Sequence, residues 1–306
     1  MPCNIEHNLL TYSNRSREDS SMGIIKDIRK KKRKLITKYK WEKHKLSDWY
    51  HTYISTKTSE YETSLGFKLR TRGYIANKLM ADSCFETTEI NILKQLIEKS
   101  DVFIDVGANI GYYTCLACSL GKRVLAFEPQ QQNLACLIDN IHINNWTGLA
   151  EVFPVGLGET PGILTLFGAS GPSASLLDGW AGYSNKYKKM IPINTMDNIL
   201  SGRYPESTLT VKIDVEGAEY NVLKGAVNTL NRAIKPMWFL EICLDEFHPG
   251  ACNTNFEDTF KLFFDSGYQA YIADEAKTPV SLDDIRNWVR NGSTGHSEFN
   301  YFFLPV

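Results

Sequence analysis

No run of about 18 apolar residues occurs in the 306-residue chain, so the sequence offers no membrane-spanning helix. The first residues, MPCNIEHNLLTYSNRSRED, lack the apolar stretch of a secretory signal, and a cytoplasmic protein is expected. The Asn-x-Ser/Thr sequons at Asn14, Asn145 and Asn291 are then chance matches. Cysteine is sparse, scattered and odd in number at seven, which argues against a disulfide framework. Cys115 and Cys118 form a C-x-x-C pair without a second pair or a nearby His, so core thiols are expected rather than a zinc or redox site. Net charge is also nearly absent, at −1, but this conceals an asymmetry. Residues 26–45 hold eleven Lys/Arg against two acids, which leaves the remainder of the chain at about −10. A body that acidic is a poor electrostatic partner for nucleic acid.

What is present is an ordinary globular composition, 43% hydrophobic, long enough for one large domain or a domain with an extension. Residues 1–22 are polar and aperiodic, and a disordered tail is expected. Residues 23–83 read as an N-terminal extension. Within it, 24–53 carry an apolar stripe (Ile25, Ile28, Leu35, Tyr39, Leu46, Trp49) opposite a Lys/Arg face, the pattern of an amphipathic helix. Such a helix can pack on its own domain or on a second subunit, which would make a homo-oligomer, or lie on an anionic membrane surface. Residues 55–82 read as turns and short strands.

The most informative stretch is DVFIDVGANIGYYTCLACSLGKRVLAFEP, residues 101–129. Val102, Phe103, Ile104 and Val106 make a short apolar strand buried on both faces. Gly107-Ala108-Asn109-Ile110-Gly111 is a turn, Tyr113 to Leu120 a helix ended by Gly121, and Val124 to Phe127 a second strand tipped by Glu128 and Pro129. Gly107 and Gly111 allow close backbone approach, and Asn109 is the non-glycine residue that best tolerates a left-handed conformation. The free N–H groups of the helix start can receive an anionic group, and Glu128 can accept hydrogen bonds from vicinal ribose hydroxyls. The spacing G-x-N-x-G falls short of the dinucleotide fingerprint G-x-G-x-x-G. Asp105, two residues before the first glycine, disfavours a pyrophosphate and suits a ligand with an ammonium and a sulfonium. S-adenosylmethionine has both, and D-x-G-x-N-x-G followed by an acid at the next strand tip resembles the cofactor site of class I methyltransferases.

Further elements follow in alternation: helices over 85–99, 131–143, 218–230, 256–264 and 282–290, and strands over 150–155, 163–167, 190–193, 209–213, 236–242, 268–273 and 299–304. This predicts an α/β fold, a doubly wound, mostly parallel, Rossmann-like sheet with a helical N-terminal extension. Residues 169–184, rich in Gly, Ser and Ala with Trp180 and Tyr183, interrupt the alternation; they read either as a substrate-shaping loop or as an ordinary mobile one. Asp105, Glu128, Asp214 and Glu241 all fall at C-terminal strand ends, where such sheets bind ligands. Lys212, Asp214 and Glu216 alternate with Val211, Ile213 and Val215, which puts them on one face, either as a structural ion network or as a catalytic cluster.

In order and spacing, DVGANIGYYT, FEP, KIDVEGAEYNVLKGA and FLEI resemble the FkbM-type methyltransferases over residues 84–306. The resemblance implies methylation of a hydroxyl from S-adenosylmethionine, on a glycan, a sugar or a small hydroxylated metabolite. Cofactor contacts are then expected from Asp105, Gly107, Ala108, Asn109, Gly111, Glu128 and Pro129. The catalytic group is expected among Asp214, Glu241, Glu216 and Lys212, with His248 a weaker candidate for the base. No motif demands a metal, although carboxylates so placed could hold a divalent ion. An RNA methyltransferase and a non-catalytic cofactor-binding module are the alternatives.

Overall fold

The computed structural model describes residues 58–72, 87–168, 174–182, 188–250 and 252–306. The tail at 1–22 and the helix expected over 24–53 lie outside the described residues. In chain order the elements are β1 (Thr58–Glu62), β2 (Lys68–Arg72), α1 (Thr87–Glu98), β3 (Val102–Val106), α2 (Tyr112–Ser119), β4 (Arg123–Phe127), α3 (Gln131–Ile143), β5 (Ala150–Phe153), β6 (Gly156–Leu157), β7 (Gly162–Phe167), β8 (Lys188–Asn194), α4 (Met196–Leu200), β9 (Leu209–Ile213), α5 (Glu219–Lys224), α6 (Val227–Leu230), β10 (Met237–Glu241), α7 (Phe256–Asp265), β11 (Tyr268–Ile272), β12 (Pro279–Val280), α8 (Leu282–Asn291) and β13 (Asn300–Pro305).

The main sheet has the order β12-β11-β13-β10-β9-β3-β4-β5. The run from β10 through β9, β3 and β4 to β5 is parallel, with Ile104 opposite both Leu125 and Val211. β3 and β9 are buried along their whole length, as central strands covered on both faces must be. Their side chains sort by parity. Val102, Ile104, Val106, Val211 and Ile213 enter one core with α4 to α8, whereas Phe103 enters the other with α1 to α3. Asp105 and Lys212 share the parity of Phe103 and therefore point toward the α1–α2 side.

Three features differ from the sequence reading. The strand over 300–305 runs antiparallel and inserts between β10 and β11, because the strand–helix alternation does not fix strand direction. The helix expected over 218–230 is two short helices, α5 and α6, interrupted at Gly225-Ala226, where glycine weakens helical continuity. β6, β8 and β7 form a separate three-stranded sheet, with β6 parallel and β7 antiparallel to β8.

The hairpin of β1 and β2 is the fourth difference. The sequence groups it with the N-terminal extension, but it packs into the main body, and residues 55–306 form one compact unit. Phe67, Leu69 and Thr71 are buried in alternation with Lys68 and Arg70. The Phe67 ring meets Tyr112 edge-on at 5.8 Å and Trp146 at 6.2 Å. Asn140 of α3, fully buried, accepts from Arg70 N–H at 2.5 Å and donates to the Arg70 carbonyl at 3.0 Å and the Ile110 carbonyl at 2.8 Å. One side chain thus joins the hairpin, α3 and the glycine loop.

Asn140→Ala removes all three bonds and leaves backbone groups without partners, so we expect a stability loss of about 2–4 kcal/mol. Urea denaturation checks it, and a loss below about 0.5 kcal/mol would exclude Asn140 as the tie.

Candidate functional site

The turn after β3 is held from two sides. The Gly107 and Ala108 amides both donate to the Phe127 carbonyl at 3.0 Å, and Asp214 N–H donates to the Val106 carbonyl at 3.0 Å. Gly107 adopts φ +81°, and a Cβ there would lie 1.9 Å from the Asp214 carbonyl oxygen. Asn109 takes the left-handed conformation at φ 51° that its residue type suits. Its amide donates to Glu128 Oε2 at 2.9 Å, and the Gln130 amide donates to Oε1 at 2.7 Å. Both Glu128 oxygens are thereby oriented at the tip of β4.

Beside this loop lies a cleft open to solvent, with about 660 Å³ of empty space counted out into the solvent. Gly107, Asn109, Glu128 and Pro129 form one wall, and Asp214 and Glu216 another. Leu166 of β7 and Ile191 of β8 line it from the small sheet, together with Ala174 and Leu176. Among the described residues, the ionisable side chains lining the cleft are the three carboxylates of Glu128, Asp214 and Glu216. Burial pushes Glu128 up to about 7, against the lowering effect of its bonds from Gln130, Asn109 and Asn133. Burial and then the neighbouring charge of Asp214 push Glu216 up to about 8.

Several expected residues stand behind the walls. Asp105 is fully buried, accepts from Thr114 Oγ1 at 2.7 Å, and is absent from the cleft lining. Burial raises its pKa, while the Lys212 charge opposes that rise. Lys212 pairs in register with Asp105, bonds Asp214 Oδ2 at 3.0 Å, and lies 4.8 Å from the centre of the Tyr113 ring. Ala108 and Gly111 shape the turn without lining the cleft. Glu241 ends β10, level with Asp214 because Leu240 pairs with Ile213, but it too lies outside the lining. It accepts a weak bond from Cys243 Sγ at 3.6 Å.

The face-sharing expected of Lys212, Asp214 and Glu216 holds only in part. β9 stops at Ile213, and Glu216 enters a turn at φ 58°, so the alternation ends before it. Its Oε2 accepts from Trp180 Nε1 at 2.7 Å. His248 is half-buried with its ring edge-on to Trp180 at 4.8 Å, and burial lowers its pKa. The sequence reading passed over Glu219, the last acid of KIDVEGAE. It is buried, accepts from the Val215 and Gly217 amides at 3.1 and 3.0 Å, and is pushed up to about 7 by burial. Its place at the start of a helix, two residues after a glycine, was the available signal. Cys115 and Cys118 are free thiols inside α2, raised by burial. Among the described residues no group of three or more His, Cys, Asp or Glu is placed to hold a metal ion, and no helix is long and apolar enough to cross a membrane.

Gly107→Ala should destabilise the protein by at least about 2 kcal/mol, because a left-handed φ and a backbone clash combine. Denaturant unfolding checks this, and wild-type stability would mean the loop tolerates another path.

A hexuronic acid methyltransferase, AglP of Haloferax volcanii, is 33% identical over 148 residues, which cover 47% of this chain and 58% of the relative. The chain therefore matches little more than half of that relative's length. The crystal structure of a methyltransferase FkbM from Methylobacillus flagellatus aligns with 67% of this chain and 44% of its own, at 18% identity and a TM-score of 0.42. The methyltransferase FkbM domain profile matches residues 105–291, from the acid before the glycine loop through α8, and the chain belongs to that family.

Proposed function

We propose that the cleft binds S-adenosylmethionine and that the protein methylates a hydroxyl of a sugar, a glycan or a small hydroxylated metabolite. The observation that carries this is the lining of the cleft. It offers three carboxylates and, among the described residues, no Lys, Arg or His, which favours a cationic ligand over a pyrophosphate. The same lining disfavours an RNA acceptor, whose phosphates need cations. The residues fit the cofactor on further grounds. Glu128 is oriented at the strand tip for ribose hydroxyls, the backbone at Gly107 has no side chain in the way, and Leu166 and Ile191 offer apolar surface for an adenine.

Bound there, S-adenosylmethionine supplies an electrophilic methyl on a sulfonium. The chain's task is to hold an acceptor oxygen in line in a dry cleft and to take its proton. Asp214 is the residue for the proton. Lys212 fixes Oδ2, and the side chain stays about one-third exposed, at 31%, so a proton gained by the carboxylate can pass to solvent. Glu241, level with it on the next strand, lies outside the cleft lining and is given no acceptor contact. The relative's name makes hexuronic acids the first acceptors to try, although an acidic cleft would repel a free carboxylate close to Asp214. Labelled methyl transfer to hexuronic acids, their glycosides and neutral sugars tests the reading. No transfer to any hydroxylated acceptor, together with transfer to an amine, would overturn O-methylation.

Asp214→Asn should lower turnover by about 10²–10⁴ while leaving cofactor affinity within about tenfold. Wild-type turnover would exclude Asp214 as the base, and lost affinity would move it into the cofactor shell.

The raised pKa values give a second expectation. Glu128 at about 7 and Glu216 at about 8 are largely protonated at pH 6. A cationic ligand favours their ionised forms, so binding should release protons near pH 7, and affinity should rise as the pH increases from about 6 to 8.5. Calorimetry in buffers of different ionisation enthalpy measures the release, and proton uptake would contradict the assignment.

A further inference from the structure

The segment 174–182 joins the turn after β9 at several points. Trp180, 2% exposed, donates its indole N–H to Glu216 Oε2 at 2.7 Å. Ser175 Oγ donates to the Glu216 carbonyl at 2.5 Å and accepts from the Leu177 amide at 2.9 Å. Ser175 is itself bridged to Phe167 at the end of β7, through bonds of 2.8 and 3.1 Å. Gly217 packs flat beneath the indole. At φ +94°, a Cβ on it would lie 2.4 Å from Trp180 Cζ3 and 2.9 Å from Leu177 Cδ1. The Trp180 ring also meets His248 at 4.8 Å and Phe247 at 5.9 Å, and the Ala181 amide donates to the Phe247 carbonyl at 2.7 Å.

These bonds converge on a strained residue. Glu216 holds a left-handed φ of 58°, which a non-glycine residue keeps only when its surroundings enforce it. Two residues before it stands Asp214, and on either side of Ser175 the segment presents Ala174 and Leu176 to the cleft.

We propose that Trp180 is a positioning residue: its indole N–H, caught by the Glu216 carboxylate, pins segment 174–182 to the Asp214–Gly217 turn and so holds the Ala174–Leu176 wall of the cleft. Glu216 then acts as the catch of this wall, and Asp214 remains the group that meets the acceptor proton. The inference rests on the proposed S-adenosylmethionine site for its binding consequence, but the catch itself is a property of the protein alone.

Two measurements on the full chain separate these layers. Amide hydrogen exchange without ligand should be at least about tenfold faster over 174–182 in Trp180→Phe, which keeps an aromatic ring but loses the N–H. In titrations with S-adenosylmethionine, Trp180→Phe and Glu216→Ala should each weaken binding about tenfold. Glu216→Gln should keep the exchange over 174–182 within about threefold of wild type, because its amide oxygen still accepts the indole N–H, whatever its missing charge does to affinity. The double variant Trp180→Phe/Glu216→Ala should be no weaker than Glu216→Ala alone, since the bond that Trp180→Phe removes is already gone there. Unchanged exchange over 174–182 overturns the catch. So does exchange over 174–182 that is as fast in Glu216→Gln as in Glu216→Ala, which would mean that the accepted indole N–H does not hold the segment. Losses that multiply in the double variant overturn it as well. Failure of the wild type to bind S-adenosylmethionine overturns the cofactor reading instead, and the exchange result still decides the catch. Should Trp180→Phe fold poorly, the two Glu216 variants and the exchange rates they give decide it.

Discussion

A lysine ammonium with 4% exposure sits at the centre of the sheet, and the site is arranged around neutralising it. Lys212 projects from β9 to the same side as Asp105 on β3, in register with it, and reaches Asp214 just past the strand end at 3.0 Å. Removing either partner from such a group leaves a buried charge uncompensated, which costs about 3–5 kcal/mol. The lysine therefore ties the strand interior to the strand tip. Asp105 holds the inner end of the ammonium's field, Tyr113 lies against it from α2, and Asp214 takes the outer end where the cleft begins. The acid nearest the glycine loop thus acts on the cleft indirectly: it helps set where Lys212 lies, and Lys212 sets where Asp214 lies.

The same tip is fixed through the backbone. Asp214 N–H bonds the Val106 carbonyl, and the Asp214 carbonyl occupies the space that a side chain at Gly107 would need. The glycine loop and the Lys-x-Asp strand end are one steric unit, which explains physically why both motifs occur in one chain at these spacings. Glu128 from β4 and Glu219 from α5 close the arrangement. Each spends its carboxylate on two backbone amides of a turn, Glu128 on those of Asn109 and Gln130 and Glu219 on those of Val215 and Gly217. Such carboxylates orient loops that have no regular hydrogen bonding of their own.

Much of this was legible in the sequence where local chemistry decides. The buried strands β3 and β9 announce themselves as short apolar runs, and α3 matches the helix expected over 131–143. The left-handed Asn109 and the position of Glu128 followed from residue type and from the rule that ligands meet strand tips. What stayed hidden depends on direction or on distant partners. The antiparallel entry of β13 between β10 and β11 leaves no mark in a buried apolar strand. The burial of Phe67 and Leu69 depends on Tyr112, Trp146 and Asn140, which lie far along the chain. The parity of Asp105 was readable, but the side its parity faces was not, and that side decides whether it lines the cleft. Glu216 was assigned a face by alternation, and a single left-handed φ turned it toward Trp180.

The arrangement of acids carries the last step. Glu128, Glu216 and Glu219 are pushed up to about 7, 8 and 7 by burial, and Asp214 adds repulsion at Glu216 and Glu219. Such carboxylates do not stabilise one another; they are held together by the backbone amides, the indole and the ammonium that surround them. A fold that gathers acids against their mutual repulsion does so where positive charge is to be received. Lys212 is committed beneath the tip to Asp214 and faces Asp105, and among the described residues the lining adds no cation. An ammonium and a sulfonium entering the cleft would therefore meet carboxylates for which the described lining offers no other cation. The binding energy would come from pairing with those carboxylates, with the walls at Leu166, Ile191 and Leu176 supplying the apolar contact.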